Sequence, residues 1–308
     1  MVDVSIIIVN YNTVNLIVDA IKSVIQMTMD INFEVIVVDN CSSDNSKEIL
    51  QNEFQNKIKH IALPANIGFG RANNEGIKIA QGRNILFLNP DTILLNNAIK
   101  ILSDTLDSDE QIGACGGNLY DENKKPTHSY RMIFPSIYWE INDLLSRIPE
   151  KIILGKNSEF NHTYREKKVA YITGADLMIK KSVIDQVGIF SPLFFMYYEE
   201  TDLCFRIKKA NFNIVSVPNA KIIHLESKSF AKETINTTQI KMSEESRCTY
   251  YKIHYSALYK KIADAIYSIH IHSRIIIFFL FYKKKYIYWK TVLDIFKAAK
   301  QKCDGNRI

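Results

Sequence analysis

Cysteine is scarce in this 308-residue sequence, and no two cysteines have the C-x-x-C spacing of a metal knuckle. The five cysteines are Cys41, Cys115, Cys204, Cys248 and Cys303. Because their number is odd and they are widely scattered, we expect neither a disulfide framework nor a zinc knuckle. A secretory leader is not expected either, since an apolar run that resembles a buried strand begins near Ser5. These absences predict a cytoplasmic protein.

The sequence also has no long apolar run, since the run Ile275–Tyr282 contains only eight residues. A helix that spans a bilayer needs about 18 apolar residues, so this count excludes a transmembrane helix. The run is followed by Lys283–Lys285, Tyr286, Tyr288 and Trp289. Basic residues beside aromatic residues and a short apolar face are typical of a helix that lies in the membrane interface. The alternative is a pair of helices folded back onto the rest of the chain.

Positive charge is concentrated in the same region. The whole chain has a net charge of +6, whereas residues 252–302 contain eleven Lys or Arg and only two Asp. No motif of a nucleic-acid-binding module accompanies these basic residues, so nucleic acid is not an expected partner. An anionic membrane surface is the partner that this segment favours.

Composition and apolar patterning place the chain among the α/β proteins. With 47% hydrophobic residues it can bury a large core, as one domain of about 250 residues with an appendage. The predicted strands are Val4–Val9, Val35–Val38, Ile58–Leu63, Ile85–Leu88 and Ile112–Ala114, and the predicted helices between them are Leu16–Met27, Lys47–Phe54, Gly70–Ala80 and Ala98–Leu106. This alternation predicts a doubly wound, largely parallel sheet.

The periodic pattern of apolar residues is weaker after Tyr120 and returns at Ala170. The later predictions are a strand and a helix within 170–188, a helix ending near Ala210, and strands at Ile214–Val217 and Ile222–His224. Residues 226–246 are polar and are predicted to be mobile.

Polar clusters follow three of the predicted strands. They are Asn10–Asn12, Asp39–Asp44 and Asn89–Asp91. Each cluster alone can be a turn or a helix cap. Ligands of doubly wound sheets bind beyond the carboxyl ends of the strands, so three clusters at one edge predict a ligand crevice.

Two carboxylates near this edge suggest the ligand. The Asp39 carboxylate can accept the imide N–H of a pyrimidine base, and Asp91 can bind a divalent cation whose remaining ligands are phosphate oxygens and water. His224 also follows an apolar run, where it is either an ordinary hydrogen-bonded histidine or a ligand. Asp39 and Asp91 together predict a site for a nucleoside diphosphate.

Three carboxylates follow an aromatic segment, Phe194–Tyr198. They are Glu199, Glu200 and Asp202. Carboxylates beside apolar rings can have raised pKa values, and such a group can act as a general base toward a hydroxyl. The alternative is that all three are first-turn acids of the following helix, where the helix dipole favours negative charge.

The glycines of Asn66–Gly76 do not form a recognised phosphate loop. The stretch has neither the G-x-x-x-x-G-K-[ST] pattern nor a complete G-x-G-x-x-G fingerprint, so Walker-type and dinucleotide sites are rejected. A plain loop followed by a helix start is one alternative, and a backbone that approaches a ligand closely is the other.

In combination, these motifs resemble the family 2 inverting glycosyltransferases of the GT-A fold over most of residues 3–230. The matching stretches are Ser5–Asn12, Val35–Asp44, Asn66–Gly76, Phe87–Thr92, Thr173–Asp176 and the acidic segment with His224. Several of them are most similar to the bacterial rhamnosyltransferase-like branch, in which the donor is often a dTDP-sugar. The resemblance implies a Rossmann-like mixed sheet with flanking helices and a C-terminal helical appendage.

The resemblance also implies a role for each matching residue. The implied donor-binding residues are Val9, Tyr11, Asn12, Asp39, Asn66, Arg71, Asn89 and Asp91. Asn89 and Asp91 occupy the family's D-x-D element, so Asp91 and His224 would bind Mg²⁺ or Mn²⁺. The implied acceptor-side residues are Gly174, Ala175 and Asp176, although Asp176 can equally be a polar contact between strands. Glu200 stands where the catalytic base is usually aspartate, and Glu199 and Asp202 are the alternatives.

The predicted protein is a hexosyltransferase-type enzyme that transfers a sugar from a nucleoside-diphosphate sugar to a polysaccharide or lipid-linked glycan. Residues 1–246 would form the catalytic domain, with a nucleotide-binding half at 1–119 and an acceptor half at 120–246. Residues 247–308 would form a basic helical tail on the inner face of the plasma membrane. The alternatives are a non-catalytic nucleotide-sugar-binding partner of a synthase and a sugar-phosphate nucleotidyltransferase.

Overall fold

The computed structural model describes residues 2–225 and 235–305, and these residues form two compact units. The first unit contains residues 2–132, 156–192 and 199–225. The second contains residues 133–155, 193–198 and 235–305. Residues on both sides of position 246 therefore belong to the second unit, and the predicted catalytic-domain boundary there remains a prediction.

The strands of the described residues all belong to the first unit. They are β1 (Val4–Asn10), β2 (Phe33–Asp39), β3 (Lys59–Ala62), β4 (Asn84–Leu88), β5 (Thr92–Leu94), β6 (Ile112–Tyr120), β7 (Tyr130–Arg131), β8 (Lys167–Lys168), β9 (Tyr171–Ile172), β10 (Asp176–Lys180) and β11 (Asn213–His224). Nine of the described strands form one sheet in the order β3-β2-β1-β4-β10-β6-β11-β5, with β8 paired to β11, and β7 pairs with β9 separately. The mixed sheet confirms the predicted fold class.

The strand directions determine which side chains meet at the sheet edge. Strands β1, β2, β3 and β4 are parallel, β10 runs antiparallel to both β4 and β6, and β11 is parallel to β6. Two reversals restore the original direction, so β11 ends at the same edge as β1, β2 and β4. The residues that end or follow these strands, including Asp39, Asn89 and His224, therefore share one edge.

The helices are α1 (Val14–Met27), α2 (Ser46–Phe54), α3 (Phe69–Ile79), α4 (Ala98–Ser108), α5 (Ile137–Leu144), α6 (Ile148–Leu154), α7 (Lys181–Val187), α8 (Glu199–Lys209), α9 (Thr237–His254), α10 (Ala257–Phe281) and α11 (Lys283–Gly305). Helices α5, α6, α9, α10 and α11 belong to the second unit. The helical C-terminal segment confirms the predicted appendage.

The core of the first unit lies on both faces of the sheet. Every residue of β1 is buried, as expected for a central parallel strand, and α1 buries Ile17, Ile21 and Val24 along one stripe. Helix α3 packs so closely that a Cβ added at Gly76 would lie 2.6 Å from Cγ2 of Ile7. Glycine at this position therefore permits the close approach of helix and strand.

The second unit is held together by buried charges as well as by apolar packing. The Arg247 guanidinium donates to Glu140 at 2.8 Å and to Asp264 at 3.0 Å, and all three residues are less than 5% exposed. Glu140 lies on α5, Arg247 on α9 and Asp264 on α10, so one cation joins three helices. Removing one member of such a network would leave a buried charge without its partner.

The prediction that residues 226–246 are mobile is wrong for residues 237–246. These residues form the first half of α9, which Asn236 caps by accepting a hydrogen bond from the backbone N–H of Gln239 at 3.0 Å. Polar residues of this helix, including Glu244 and Ser246, are buried. Residues 226–234 lie outside the described residues.

The eight-residue length of the apolar run led to the exclusion of a membrane span. This exclusion is wrong, because the helix that contains the run is long and apolar enough to cross a membrane. The run lies in α10, where an 18-residue stretch within Ala257–Leu280 has a mean hydropathy of 1.3 and only 22% of its residues are buried. The helix is nevertheless anchored to its own unit, because its buried Asp264 pairs with Arg247 of α9 and its buried Lys260 pairs with Asp304 of α11. One packed face and one exposed apolar face are typical of a helix at an interface.

Candidate active site

The Asp39 carboxylate is held at the end of β2 by two neighbours. Its Oδ1 accepts a hydrogen bond from Nδ2 of Asn10 at 3.1 Å and a short one from the Ser42 hydroxyl. Asn10 is paired directly with Asp39 across β1 and β2, and Asp39 is only 6% exposed. The arrangement fixes the carboxylate direction at the crevice edge.

Asn12 organises the loop beside Asp39. It adopts a φ of 56°, and its side-chain oxygen accepts hydrogen bonds from the backbone N–H groups of Ser43 at 2.7 Å and Asp44 at 3.3 Å. Asparagine tolerates the left-handed region better than most residues, which suits this position. Neighbouring Tyr11 is 48% exposed, whereas Val9 is buried within β1.

Asn66 and Arg71, two of the predicted donor-binding residues, make contacts within the protein. Asn66 accepts from Asn40 Nδ2 at 2.9 Å, and Arg71 donates from Nε and Nη2 to the Pro192 carbonyl at 2.9 and 2.6 Å. These bonds shape the loop before α3 and tie α3 to the segment after α7. A direct contact of either residue with a donor remains a prediction.

Asn89, Asp91 and His224 form one polar cluster. The Nε2 atom of His224 lies 3.3 Å from Oδ1 of Asp91 and 3.3 Å from Nδ2 of Asn89. Pairing of β5 with β11 produces this arrangement, because Thr92 is opposite His224 and the Asp91 carbonyl accepts from the backbone N–H of Leu225. The Asp91 and His224 side chains are 13% and 11% exposed, so both can be reached from outside.

A carboxylate and an imidazole at this separation fit a single divalent cation. Oxygen ligands are preferred by Mg²⁺ and Mn²⁺, and a neutral imidazole nitrogen can complete such a site. Only two protein ligands are offered by this pair, which suits an ion whose remaining positions are taken by phosphate oxygens and water.

Asp176 lies buried behind this cluster. Its Oδ2 accepts from the backbone N–H of Gly117 at 2.5 Å, which is the strand-to-strand contact that the sequence allowed. Its Oδ1 has no hydrogen-bond partner within the described residues. Burial raises the pKa of Asp176 to about 7, although the Gly117 bond and nearby His224 lower it. Contact with an acceptor remains a prediction for this fully buried side chain.

Asp202 has a structural partner on its own helix. Nε and Nη2 of Arg206 donate to Oδ2 of Asp202 at 3.0 and 2.8 Å, and Arg206 also bonds the carbonyl oxygens of Val187, Gly188 and Ile189. With Asp202 only 1% exposed, the pair connects the first turn of α8 to the end of α7. The alternative of a first-turn acid with a structural role therefore describes Asp202 well.

Glu199 and Glu200 differ in their surroundings. Burial and the charge of Glu200 raise the pKa of Glu199 well above its ordinary value, and its Oε2 has no hydrogen-bond partner within the described residues. Burial also raises the pKa of Glu200, while bonds from its own backbone and from Thr201 oppose the shift. Glu199 is 5% exposed, whereas Glu200 is partly exposed.

The segment between β9 and β10 connects Glu200 to the polar cluster. A Cβ added at Gly174 would lie 3.8 Å from Cγ of Glu200, and the carbonyl of the next residue, Ala175, accepts from the backbone N–H of Asn89 at 2.9 Å. Glu200 therefore lies beside the segment whose backbone bonds Asn89. Asp39 lies at the same sheet edge, at the end of β2, and one strand, β1, lies between β2 and β4.

Two residues that hold site side chains were not assigned from the sequence. Ser42 positions Asp39, and Arg206 neutralises Asp202. The four-residue spacing of Asp202 and Arg206 on a predicted helix was a usable signal for an ion pair. No comparable local pattern indicated the contact between Asp176 and Gly117, which are 59 positions apart.

Comparison with known proteins gives a consistent family. The model of the family "Glycosyl transferase family 2" matches residues 5–188. A hexosyltransferase of low-salt glycan biosynthesis, Agl10 of Haloferax volcanii, is 27% identical over 226 residues, covering 72% of this chain and 67% of its own length. An N-acetylglucosaminyl-diphospho-decaprenol L-rhamnosyltransferase of Mycobacterium tuberculosis is 26% identical over 220 residues, covering 65% of this chain and 68% of its own length.

Two solved structures share the fold at low sequence identity. GalNAc-T7 with UDP, GalNAc and Mn²⁺ superimposes with a TM-score of 0.64 at 14% identity, covering 98% of this chain and 56% of that protein. TarS 1–349 of S. aureus has a TM-score of 0.55 at 17% identity, covering 98% of this chain and 82% of that one. These likenesses confirm the predicted GT-A fold.

Proposed function

We infer the activity from one premise, which is that the chain belongs to glycosyl transferase family 2 and is related to its rhamnosyltransferase branch. The proposed reaction is transfer of a sugar from a nucleoside-diphosphate sugar to an acceptor hydroxyl. The main support is the cluster of Asn89, Asp91 and His224, which Ala175 and Gly174 connect to a carboxylate of raised pKa. Stabilisation of a leaving diphosphate and deprotonation of a hydroxyl are the two tasks that this reaction requires.

The proposed donor is a pyrimidine nucleotide sugar, with dTDP-rhamnose as the first candidate. In support, the Asp39 carboxylate is held in one orientation by Asn10 and Ser42 at the crevice edge, where it can accept an imide N–H. Tyr11 and Asn12 lie beside it on the loop that follows β1. The Mycobacterium tuberculosis relative is named as an L-rhamnosyltransferase, which favours rhamnose among the sugars.

Asp91 and His224 would hold one divalent cation, Mg²⁺ or Mn²⁺, beside Asn89. A bound cation would neutralise negative charge on the departing diphosphate. Asn89 would donate its amide to a phosphate or ribose oxygen. The partial exposure of Asp91 and His224 supports this role, because phosphate oxygens must complete the coordination.

Glu200 is the proposed general base. Asp202 is ion-paired with Arg206. Glu199 is almost fully buried and packs against Gly70, so closely that a Cβ added at Gly70 would lie 3.3 Å from the Cβ of Glu199. Glu200 is the one of the three that is partly exposed and lies beside Gly174. A raised pKa makes the Glu200 carboxylate a stronger proton acceptor once it is ionised. Its extra methylene, relative to aspartate, extends its reach toward the acceptor.

The proposed mechanism is a single displacement. Glu200 takes the proton of the acceptor hydroxyl as the oxygen attacks the anomeric carbon from the face opposite the nucleotide. The new carbon–oxygen bond forms as the bond to the diphosphate oxygen breaks, so the anomeric configuration inverts. Asp91 and His224 would hold the cation that neutralises charge on the leaving diphosphate, and Asn89 would donate its amide N–H to it.

The proposed acceptor is a polysaccharide or a lipid-linked glycan. One relative is named for an acceptor with a diphospho-decaprenol lipid, and another for glycan biosynthesis. A lipid-linked acceptor would place the enzyme at the cytoplasmic face of a membrane. The second unit has surface features that support such a location.

Exposed apolar side chains cover neighbouring helices of the second unit. On α5, α6 and the turn between them they are Ile141, Leu145, Ile148, Ile152 and Ile153, and on α10 they include Ile262, Ile269, Ile276, Phe279 and Leu280. The two groups adjoin, because Arg274 on α10 donates to the Leu144 carbonyl at 3.3 Å and to the Ser146 hydroxyl at 2.8 Å. Lys283–Lys285 are exposed directly after α10. This apolar surface beside lysines is proposed to contact anionic lipid.

Nucleotide release tests the enzymatic proposal. The full-length protein would be incubated with UDP-, dTDP- and GDP-sugars, with Mn²⁺ or with EDTA, and released nucleoside diphosphate would be measured. We expect release from one donor class that is lost with EDTA and in Asp91→Asn, but retained in Asp104→Asn, an exposed control on α4. Nucleotide binding in a thermal-shift assay without release from any donor would instead indicate the non-catalytic partner. Equal release with EDTA would contradict the metal role.

Sedimentation with anionic vesicles tests the membrane proposal. The variant Ile152→Ser/Ile153→Ser removes two side chains that are 78% and 72% exposed, so its fold should be retained. Losing their insertion should cost about 3 kcal/mol, or roughly 100-fold in partitioning. Ile79→Ser, at a 39% exposed position on α3, is the matched control. Equal sedimentation of all three proteins, or equal binding to neutral vesicles, would contradict the proposal. Truncation near Tyr250 is unsuitable, because it removes Asp264 from Arg247.

A further inference from the structure

Two cysteines that are 55 positions apart in the sequence meet in the second unit. Cys248 lies on α9 and Cys303 near the end of α11. Their sulfur atoms and a carboxylate oxygen of Asp304 all lie within 4.8 Å of one another. Cys248 is 3% exposed and Cys303 is partly exposed, so only one of the two thiols is readily accessible from solvent.

Two lysines border this pair. The Lys252 ammonium donates to the Cys303 carbonyl at 2.6 Å, and the Lys260 ammonium bonds Asp304 and Asp264, each at 2.9 Å. Hydrogen bonding from Cys248, together with the lysine charges, lowers the pKa of Cys303 to about 7. The same hydrogen bond, with burial, raises the pKa of Cys248. The pair is therefore asymmetric, with thiolate character on the accessible sulfur.

The surroundings favour redox chemistry over metal binding. A zinc ion would need both thiols deprotonated and a carboxylate to coordinate it. Here the Asp304 carboxylate is already paired with Lys260, and a second ammonium stands beside Cys303. These positive charges oppose a dication and stabilise a thiolate.

We propose that Cys303 and Cys248 form a reversible redox pair, in which Cys303 reacts first with a peroxide and Cys248 resolves the product as a disulfide. An accessible nucleophilic sulfur beside a buried resolving one is the arrangement that such pairs require. The resulting bond would join α9 to the end of α11.

The two steps balance with hydrogen peroxide as the oxidant. The Cys303 thiolate attacks one peroxide oxygen, the O–O bond breaks, and a sulfenic acid and one water result after protonation. The Cys248 sulfur then attacks the Cys303 sulfur, the S–O bond breaks, and a second water leaves. Two thiols have lost two electrons and two protons, and an external dithiol reverses the change.

The experiment uses the full-length reduced protein, treated with hydrogen peroxide and then analysed by intact mass and peptide mapping. We expect a loss of about 2 Da, reversed by dithiothreitol, and a single linked pair of peptides containing Cys248 and Cys303. Cys41→Ser, which removes an exposed thiol of the first unit, should behave like wild type. Cys303→Ser should not form the link, and Cys248→Ser should accumulate a sulfenic acid at Cys303 that dimedone traps.

Alkylation by iodoacetamide gives a second readout that does not depend on oxidation. A thiol with the pKa of Cys303 should react at pH 7 about threefold faster than a thiol of ordinary pKa, because its larger thiolate fraction outweighs its weaker nucleophilicity. Preferential oxidation of Cys41, linkage of other cysteines, or an alkylation rate of Cys303 at or below that of Cys41 would each overturn the proposal. Stoichiometric zinc that protects Cys303 would also overturn it, in favour of a metal site.

Discussion

The buried Asp176 carboxyl should make the stability of the protein depend on pH in a predictable direction. Burial raises its pKa from 3.8 to about 7 in the folded state. In the unfolded chain the group ionises freely, so the folded state loses stability as the pH rises from about 4 to about 7. Each pKa unit corresponds to about 1.4 kcal/mol, and a shift of this size therefore costs up to about 4 kcal/mol above pH 7.

Asp176→Asn removes this dependence and keeps an oxygen for the Gly117 N–H, which Asp176 accepts at 2.5 Å. Urea unfolding in EDTA should give similar free energies for the two proteins at pH 4.5, where the carboxyl is largely neutral in the fold. At pH 8 the asparagine variant should be the more stable by up to about 4 kcal/mol. Asp104→Asn, at an exposed position, is the control. A difference between Asp176→Asn and wild type that is the same at both pH values would refute the reasoning.

Two further predictions concern packing and the ion pair on α8. Gly76→Ala should destabilise the protein by about 1–3 kcal/mol in urea unfolding, because the added Cβ would lie 2.6 Å from Cγ2 of Ile7. The control is Gly305→Ala, where an added Cβ would have no atom within 4 Å and stability should not change. Equal stabilities of the two variants would contradict this prediction. Arg206→Met should cost about 3 kcal/mol by leaving the buried Asp202 carboxylate without its guanidinium, and Arg206→Met/Asp202→Leu should recover much of that loss. No recovery in the double variant would show that the bonds from Arg206 to backbone carbonyls dominate.

Local patterns predicted the first half of the fold well. Strands β1, β2 and β4 are apolar runs bounded by polar residues, so their predicted limits differ from the observed ones by no more than two residues. Strand β11 was predicted as two strands, because its hydrophobic pattern is interrupted near Pro218. The structure keeps the strand continuous through a register irregularity between Val217 and Lys221.

The second unit was harder to predict because its stabilising contacts are non-local. Arg247 on α9 is buried with two carboxylates that neutralise it, Asp264 and Glu140, and Glu140 is more than 100 positions away. Because that partner is distant in the sequence, the polarity of the segment around Arg247 alone predicts exposure to solvent. Similarly, counting uninterrupted apolar residues missed α10, in which Ala, Ser and His residues extend an apolar helix far beyond the run Ile275–Tyr282.

Within the candidate site, the types of residue that follow the strands predicted which side chains belong to the site. The sequence did not predict which of these side chains form ion pairs or hydrogen bonds with which partners. Asp91 and His224 were both expected to bind a cation, and the structure brings them to 3.3 Å. The sequence left three carboxylates as candidates for the base. The ion pair with Arg206 that distinguishes Asp202 forms only in the folded helix, and the position beside Gly174 that distinguishes Glu200 requires the folded chain.

The role of Glu200 is the most direct test of the account, and donor hydrolysis measures it because water can replace the acceptor hydroxyl. With the donor class identified, turnover and donor dissociation constant would be compared for wild type, Glu200→Gln and Glu199→Gln. We predict that Glu200→Gln binds donor normally but turns over about 100-fold or more slowly, and that wild-type turnover falls on the acid side as Glu200 is protonated at its raised pKa. Near-wild-type turnover in Glu200→Gln would contradict the proposed mechanism.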